Sequence, residues 1–302
     1  MLGSIETTMK KCMRADSKLC AMKILVTGAN GQLGYDVVKT LASRSIPHKG
    51  VDVNDFDITN QNVVFSVIKA YQPTAIIHCS AFTAVGKAEE EPERCIEVNE
   101  EGTRNVAQAC NCVSAKMIFI STDYVFSGEK DGFYVPEDVP NPLSVYGKSK
   151  LNGEEIVKSI LDEFFIVRTS WAFGEHGNNF VKTMLRQGRE RSCISVVTDQ
   201  KGSPTYTADL APLLCEMSAS KKYGLYHATN EGFCSWAEFA EEIYRLSAIN
   251  VDVRHITSSE YPSKVKRPLN SCLDKACLDV AEFNRLPHWK NALQRFLNVI
   301  EI

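Results

Sequence analysis

The segment Ser144-Val145-Tyr146-Gly147-Lys148-Ser149-Lys150 sets a tyrosine and a lysine four residues apart. On a helix, side chains at that spacing share one face. A free phenol, with a pKa near ~10, is a reluctant acid or base at neutral pH, and a nearby ammonium group lowers that value by stabilising the phenolate. The pair therefore suits proton transfer to the oxygen of a carbonyl that is receiving a hydride, an assistance worth roughly 10²–10⁴-fold in rate. Taken alone, Tyr-x-x-x-Lys is common on the charged faces of surface helices. Order along the chain sets this one apart. Lys116 to Ser121 reads as a buried strand that runs into Thr122, Asp123 and Tyr124, and in an open parallel sheet ligands bind beyond the carboxyl ends of the strands. A Thr122 hydroxyl at such an end can polarise the same carbonyl. Lys148 reads as a solvated neighbour.

A second constellation lies upstream. Gly28-Ala29-Asn30-Gly31-Gln32-Leu33-Gly34 follows a short apolar run, Lys23 to Thr27, and opens a helical pattern. Glycines there allow a tight turn and close approach of backbone to a pyrophosphate. The helix start offers unpaired N–H groups and partial positive charge. Asp52 comes eighteen residues after Gly34, at the expected end of a second strand. A carboxylate there can accept hydrogen bonds from the adenosine ribose, and it disfavours a 2′-phosphate, which leans toward NADH over NADPH. Asp57-Ile58 falls where the chain would approach an adenine, although an Asp in a turn reads the same way.

These groups need a scaffold. Apolar runs at Lys23–Thr27, Ala75–Cys79, Lys116–Ser121 and Phe164–Thr169 read as buried strands, with a further strand ending near Val51-Asp52. Helical patterns at Gln32–Leu41, Asn60–Lys69, Glu97–Cys110 and Val145–Leu161 alternate with them. That alternation predicts a parallel sheet covered on both faces. Beyond Thr169, glycines and Pro204 break the chain into shorter elements, followed by a Ser-capped helix over Ser235–Leu246 and a terminal helix over Lys290–Val299. The organisation predicted is a disordered extension over 1–21, a cofactor domain over 22–168, and a mainly substrate-binding domain over 169–302 with some segments returning to the first.

Bulk properties narrow the partners. A net charge of -3, with 44% hydrophobic and 24% charged residues, suggests no affinity for nucleic acid or anionic membranes. No run of apolar residues is long enough to span a bilayer, and the basic first 21 residues lack the apolar core of a secretory signal. The eleven cysteines are scattered, with no Cys-x-x-Cys pair, and read as reduced packing residues of a cytoplasmic protein.

Several longer strings then carry a family resemblance: TGANGQLG from Thr27, FTAVGKAE from Phe82, STDYVFSG from Ser121, YGKSK from Tyr146, RTSW from Arg168, GNNFVKTML from Gly177, DQKGSPT from Asp199 and the pair Arg267-Pro268. In this order they resemble the extended short-chain dehydrogenases/reductases, and within them the dTDP-4-dehydrorhamnose reductases. The resemblance implies a Rossmann-type doubly wound sheet with a smaller mixed α/β substrate domain. It implies NADPH- or NADH-dependent reduction of the C4 keto group of a dTDP-linked sugar for polysaccharide synthesis, by a monomer or homodimer. Gly31, Gln32 and Leu33 would line the pyrophosphate, with Gly28 and Gly34 shaping the turn and Asp52, Asp57 and Ile58 on the adenosine side. Ala81, Phe82 and Thr83 would face the nicotinamide half, where Tyr146 and Lys150 also touch the cofactor. Val85, Thr122, Asp123, Trp171, Asn179 and Arg267 would meet the substrate, Arg267 as a clamp on its diphosphate. Plainer readings stand beside three of these: Trp171 as a core aromatic, Asn179 as a helix cap and Arg267 as a surface residue.

The chain also departs from the family pattern. Gly86 stands where an Asp is usual, and Phe82 where a His or Tyr is usual. Some members hold magnesium at a dimer contact, and Asp36 matches one such position loosely; no catalytic metal is expected, because hydride transfer with a tyrosine acid needs none. Two other functions share parts of this pattern: a nucleotide-sugar epimerase, and a regulatory subunit of the methionine adenosyltransferase type.

Overall fold

The structure is a computed structural model that describes residues 22–263 and 265–300. The expectation for residues 1–21 lies outside the described residues. Six strands form one wholly parallel sheet: β1 (Ile24–Thr27), β2 (His48–Val51), β3 (Ala75–His78), β4 (Lys116–Thr122), β5 (Phe164–Thr169) and β6 (Gly224–His227), in the spatial order β6-β5-β4-β3-β1-β2. β1 and β3 are buried along their whole length, as their unbroken apolar runs require. The α/β parallel sheet read from the sequence is thus present. From β1 the chain moves outward to β2, then returns to the other side of β1 with β3. A cleft opens at this switch of direction, beyond the strand ends.

Helices cover both faces. On one, α1 (Gln32–Ser43) packs against α6 (Thr207–Ala219), joining Val37 and Leu41 to Leu210 and Leu214. On the other lie α2 (Gln61–Tyr71), α3 (Thr103–Cys112) and α4 (Val145–Ile160), which contribute Val64, Ile68, Val106 and Val157. A third core gathers Phe173, Tyr206, Phe239, Ile243 and Phe296. It is built by α5 (Phe180–Glu190), α7 (Trp236–Ser247) and α8 (Trp289–Leu297) with short strands between them. Local chemistry sets several helix starts. Asn60 caps α2 and Ser144 caps α4, while Ser235 and Glu238 form a reciprocal capping box on α7.

One helix differs from its sequence pattern. The run from Glu97 is not α-helical at first: Glu97–Gly102 is a π-helical turn, and α3 starts at Thr103. The widened turn carries Asn99, whose side chain is committed to groups outside the helix (below). Among the described residues, no helix is long and apolar enough to cross a membrane, no group of three His, Cys, Asp or Glu is placed to hold a metal, and the nine cysteines are free. Asp36 is buried on α1 and accepts a hydrogen bond from Thr207 Oγ1 at 2.5 Å, with its pKa raised by burial.

Candidate active site

The cleft has a volume of about 940 Å³, and every residue assigned above to cofactor or substrate lines it except Asn179. Its floor is the glycine turn. Gly28 has φ +66°, a left-handed conformation, and a Cβ at Gly34 would lie 2.0 Å from the Gly28 carbonyl oxygen. Side chains at these two positions are therefore excluded. Gly31 begins α1, whose first turn has no capping side chain and no acidic residue, so its N–H groups are available to an anion. Asp52 closes the turn from β2: its oxygens accept the N–H groups of Asn30 and Val53, each at 2.8 Å. A dinucleotide pyrophosphate fits this cradle. Asp57 also lines the cleft, and its carboxylate accepts the N–H and hydroxyl of Thr59, an Asx turn beside the buried Ile58.

Two assignments change. Gln32 lines the cleft, but both ends of its side chain are already bonded within the protein. Nε2 donates to the Ala172 carbonyl at 3.0 Å, and Oε1 accepts from Asn179 Nδ2 at 2.9 Å. Asn179 is the cap of α5, its Oδ1 accepting Lys182 N–H at 3.0 Å while Nδ2 also reaches the Gly174 carbonyl. Both ends of that amide are used, so the cap reading describes Asn179, and it is Asn178 that lines the cleft. Together Gln32 and Asn179 tie the nucleotide turn to the second half of the chain.

The reacting groups sit at the carboxyl end of β4. Thr122 Oγ1 donates to Asp123 Oδ1 at 3.0 Å and accepts Tyr124 N–H at 3.2 Å. The Tyr146 phenol lies in hydrogen-bond contact with Thr122, and its ring meets Tyr124 edge-on at 5.5 Å. Burial is the largest influence on Tyr146 and pushes its pKa up, outweighing the Thr122 hydrogen bond; the Asp123 charge adds to the rise. The lowering expected from the ammonium at Lys150 is therefore not what the structure shows: burial outweighs it, and the phenol is held firmly protonated. Lys150 is buried one turn along α4, its ammonium nitrogen 4.1 Å from the centre of the Phe119 ring. Burial draws its pKa down to about 8, opposed first by the Glu154 carboxylate. Asp123 is pushed up to about 6, mainly by burial.

Opposite these groups stands an aromatic wall. Trp171 stacks on Trp236 with ring centres 3.6 Å apart and planes at 9°. Trp171 has φ +47°, unusual for a bulky residue, and a Cβ at Gly202 would lie 2.7 Å from its ring. Such backbone strain, of order 1–3 kcal/mol, persists where surrounding contacts enforce it, often at ligand sites. Arg267 reaches the cleft through Tyr124, donating to its hydroxyl at 3.2 Å.

Sequence reading missed three participants. Asn99 grips the backbone of Phe82, Trp236 supplies half of the aromatic wall, and Glu154 lies one helical turn from Lys150. Trp236 and Glu154 each sit at helical spacing from a recognised feature, which is the one signal that pointed toward them. Asn99 had none, because the π-helical turn breaks the helical period.

A doubly wound parallel sheet, a glycine turn at its switch point, and Tyr146, Lys150 and Thr122 around the strand ends define a short-chain dehydrogenase/reductase scaffold. Within that class, the chain belongs to the family described as the RmlD substrate binding domain, whose model matches residues 22–302. It is 40% identical over 285 residues to the dTDP-4-dehydrorhamnose reductase of Aggregatibacter actinomycetemcomitans, covering 90% of this chain and 97% of that one. It is 37% identical over 275 residues to the spore coat polysaccharide biosynthesis protein SpsK of Bacillus subtilis, covering 91% and 96%. The crystal structure of dTDP-4-dehydrorhamnose reductase from Bacillus anthracis in complex with NADP superposes with a TM-score of 0.90 at 42% identity, covering 92% of this chain and 99% of that one.

Proposed function

We propose that this chain reduces the C4 keto group of dTDP-4-dehydro-L-rhamnose, giving dTDP-L-rhamnose, with NADPH or NADH. The observation that carries the reading is the meeting of Tyr146 and Thr122 at the end of β4, in the same cleft as the glycine turn. Bound along that turn, a reduced nicotinamide dinucleotide supplies the hydride. Tyr146 gives its phenolic proton to the C4 oxygen as the carbonyl carbon becomes an alcohol carbon, and solvent returns a proton to the tyrosinate. The raised pKa of the phenol keeps that proton in place until the oxygen becomes basic enough to take it. Thr122 holds the same oxygen, and Lys150, largely an ammonium at neutral pH, steadies the tyrosinate as it forms.

The remaining roles belong to the same reading. Arg267 and Tyr124 face the diphosphate, the Trp171–Trp236 stack and Val85 bound the sugar and base, and Ala81, Phe82 and Thr83 meet the nicotinamide half. The division into a cofactor half, 22–168, and a substrate half, 169–302, is supported by the separate aromatic core of the second. The product is a donor for polysaccharide synthesis, the process named for the Bacillus subtilis relative. Supplying dTDP-4-dehydro-L-rhamnose and following oxidation of NADPH and of NADH tests the reading. One cofactor oxidised per alcohol formed is expected; no turnover with either cofactor would overturn it, and epimerisation without net oxidation would replace it.

A further inference from the structure

Glu154 lies one turn beyond Lys150 and two beyond Tyr146, so the three side chains share one stripe of α4. Its carboxylate is fully buried. Oε1 and Oε2 accept Nε and Nη2 of Arg168, on β5, at 2.8 and 2.7 Å, a two-pronged pair. Oε1 also accepts the hydroxyl of Ser121, the residue before Thr122 on β4, at 2.5 Å. Arg168 continues the chain of contacts, donating from Nη1 to the Pro136 carbonyl at 3.3 Å and packing its guanidinium over Phe126. A buried ion pair is a poor device for stability alone, since apolar side chains of the same volume often hold a core as well or better. The charge calls for another use.

Lys150 offers one. The groups that face its ammonium come from four elements: Glu154 on α4, Cys79 at the end of β3 with His78 before it, Cys95 on the short helix Pro92–Ile96, and the Phe119 ring on β4. Burial holds His78 neutral, with a pKa of about 3, and raises the thiols of Cys79 and Cys95. Glu154 is the carboxylate among these groups, and it is the largest influence that opposes the loss of the Lys150 proton.

We infer that Glu154 is a positioning residue of the reduction: it pins α4 to Ser121 and Arg168 so that Tyr146 meets Thr122, and its negative charge keeps Lys150 an ammonium. The inference rests on the reductase reading above. Its test has one readout that does not. Lys150 is titrated by NMR with isotopically labelled lysine, its signal assigned from Lys150→Met. The chains compared are the unaltered protein, Glu154→Gln, and the double variant Glu154→Gln/Arg168→Gln, which leaves no guanidinium unpaired if the single variant does not fold. The Lys150 midpoint, expected near pH 8 in the unaltered chain, drops by about one pH unit or more in Glu154→Gln and by a smaller amount in the double variant, which removes a positive charge along with the negative one. In parallel, the alkaline limb of kcat/KM for NADPH oxidation moves down by the same amount. A purely structural role would lower kcat/KM by one factor at every pH and leave the midpoint in place, which would overturn the inference. Failure of both variants to fold would overturn it too, because the contacts would then serve folding itself. An unaltered chain that turns over no dTDP-4-keto sugar would remove the reductase reading, while the titration would still decide whether Glu154 sets the charge of Lys150.

Discussion

Asn99 grips the backbone of Phe82 from both sides: Oδ1 accepts the Phe82 N–H at 2.7 Å, and Nδ2 donates to the Phe82 carbonyl at 3.2 Å. The same Nδ2 donates to Ser149 Oγ at 2.9 Å. One buried amide thus ties the loop after β3, which faces the cofactor in the proposed reaction, to the helix that carries Tyr146 and Lys150.

Asn99→Ala leaves the Phe82 N–H without its acceptor and frees the loop. Stability is expected to fall by about 1–3 kcal/mol in urea unfolding. Displacement of a positioning loop by ~1 Å can cost about 10²-fold in rate, so kcat/KM is expected to fall by roughly that order. Unchanged kinetics in a destabilised but folded variant would confine Asn99 to a structural role.

Tyr146→Phe removes the proton while keeping the ring that meets Tyr124. Turnover is expected to drop by roughly 10²-fold or more, with NADPH affinity, measured by fluorescence titration, nearly unchanged. Near-normal turnover in this variant would take the acid role away from Tyr146.

The parts of this site that could be read in the sequence are those encoded within a few residues. Gly28 and Gly34 are required by one turn, Tyr146 and Lys150 share a helical face, and Thr122 ends an apolar strand. Parts assembled across the chain were not legible. Trp171 meets Trp236 only because the short strands between them fold back, and Glu154 meets Arg168 only when α4 lies across β5. Gln32 shows both sides. Its place in the turn was plain from spacing, yet its side chain is taken by Asn179 and Ala172, about 140 residues away along the chain. The helical period also breaks at Glu97–Gly102, a π-helical turn that carries Asn99 and its bonds to Phe82 and Ser149.

Gly86 is the second residue of the short helix Val85–Glu90, and a Cβ there would meet nothing within 4 Å. No packing reason therefore requires glycine. Gly86→Asp removes the entropy cost of glycine in a helix and places a negative charge near a helix start, so a gain of about 0.5–1 kcal/mol is expected in urea unfolding. Its kcat/KM for dTDP-4-keto sugars, compared with that of the unaltered chain, reports whether a carboxylate at this position alters sugar choice. A clear loss of stability would show that this helix start relies on the freedom of Gly86.

Asp123 gives a pH dependence whose sign is fixed by its burial. Its carboxyl is held near 6, above the value of ~3.9 expected in the unfolded chain. Folding therefore favours the protonated acid. Below about pH 4 both states carry the proton and no penalty arises; between about pH 4 and pH 6 the unfolded chain ionises first, and stability is progressively lost. Above pH 6 the loss is complete, about 3 kcal/mol for a difference of about two pH units. Asp123→Asn removes the ionisation and retains an acceptor for Thr122. Its stability relative to the unaltered chain is expected to rise by about 2–3 kcal/mol between pH 4 and pH 7.5, read from urea unfolding at both values. A difference independent of pH would mean that the Asp123 carboxyl titrates as it does in the unfolded chain, and that its hydrogen bonds to Thr122 and Ser271 offset its burial.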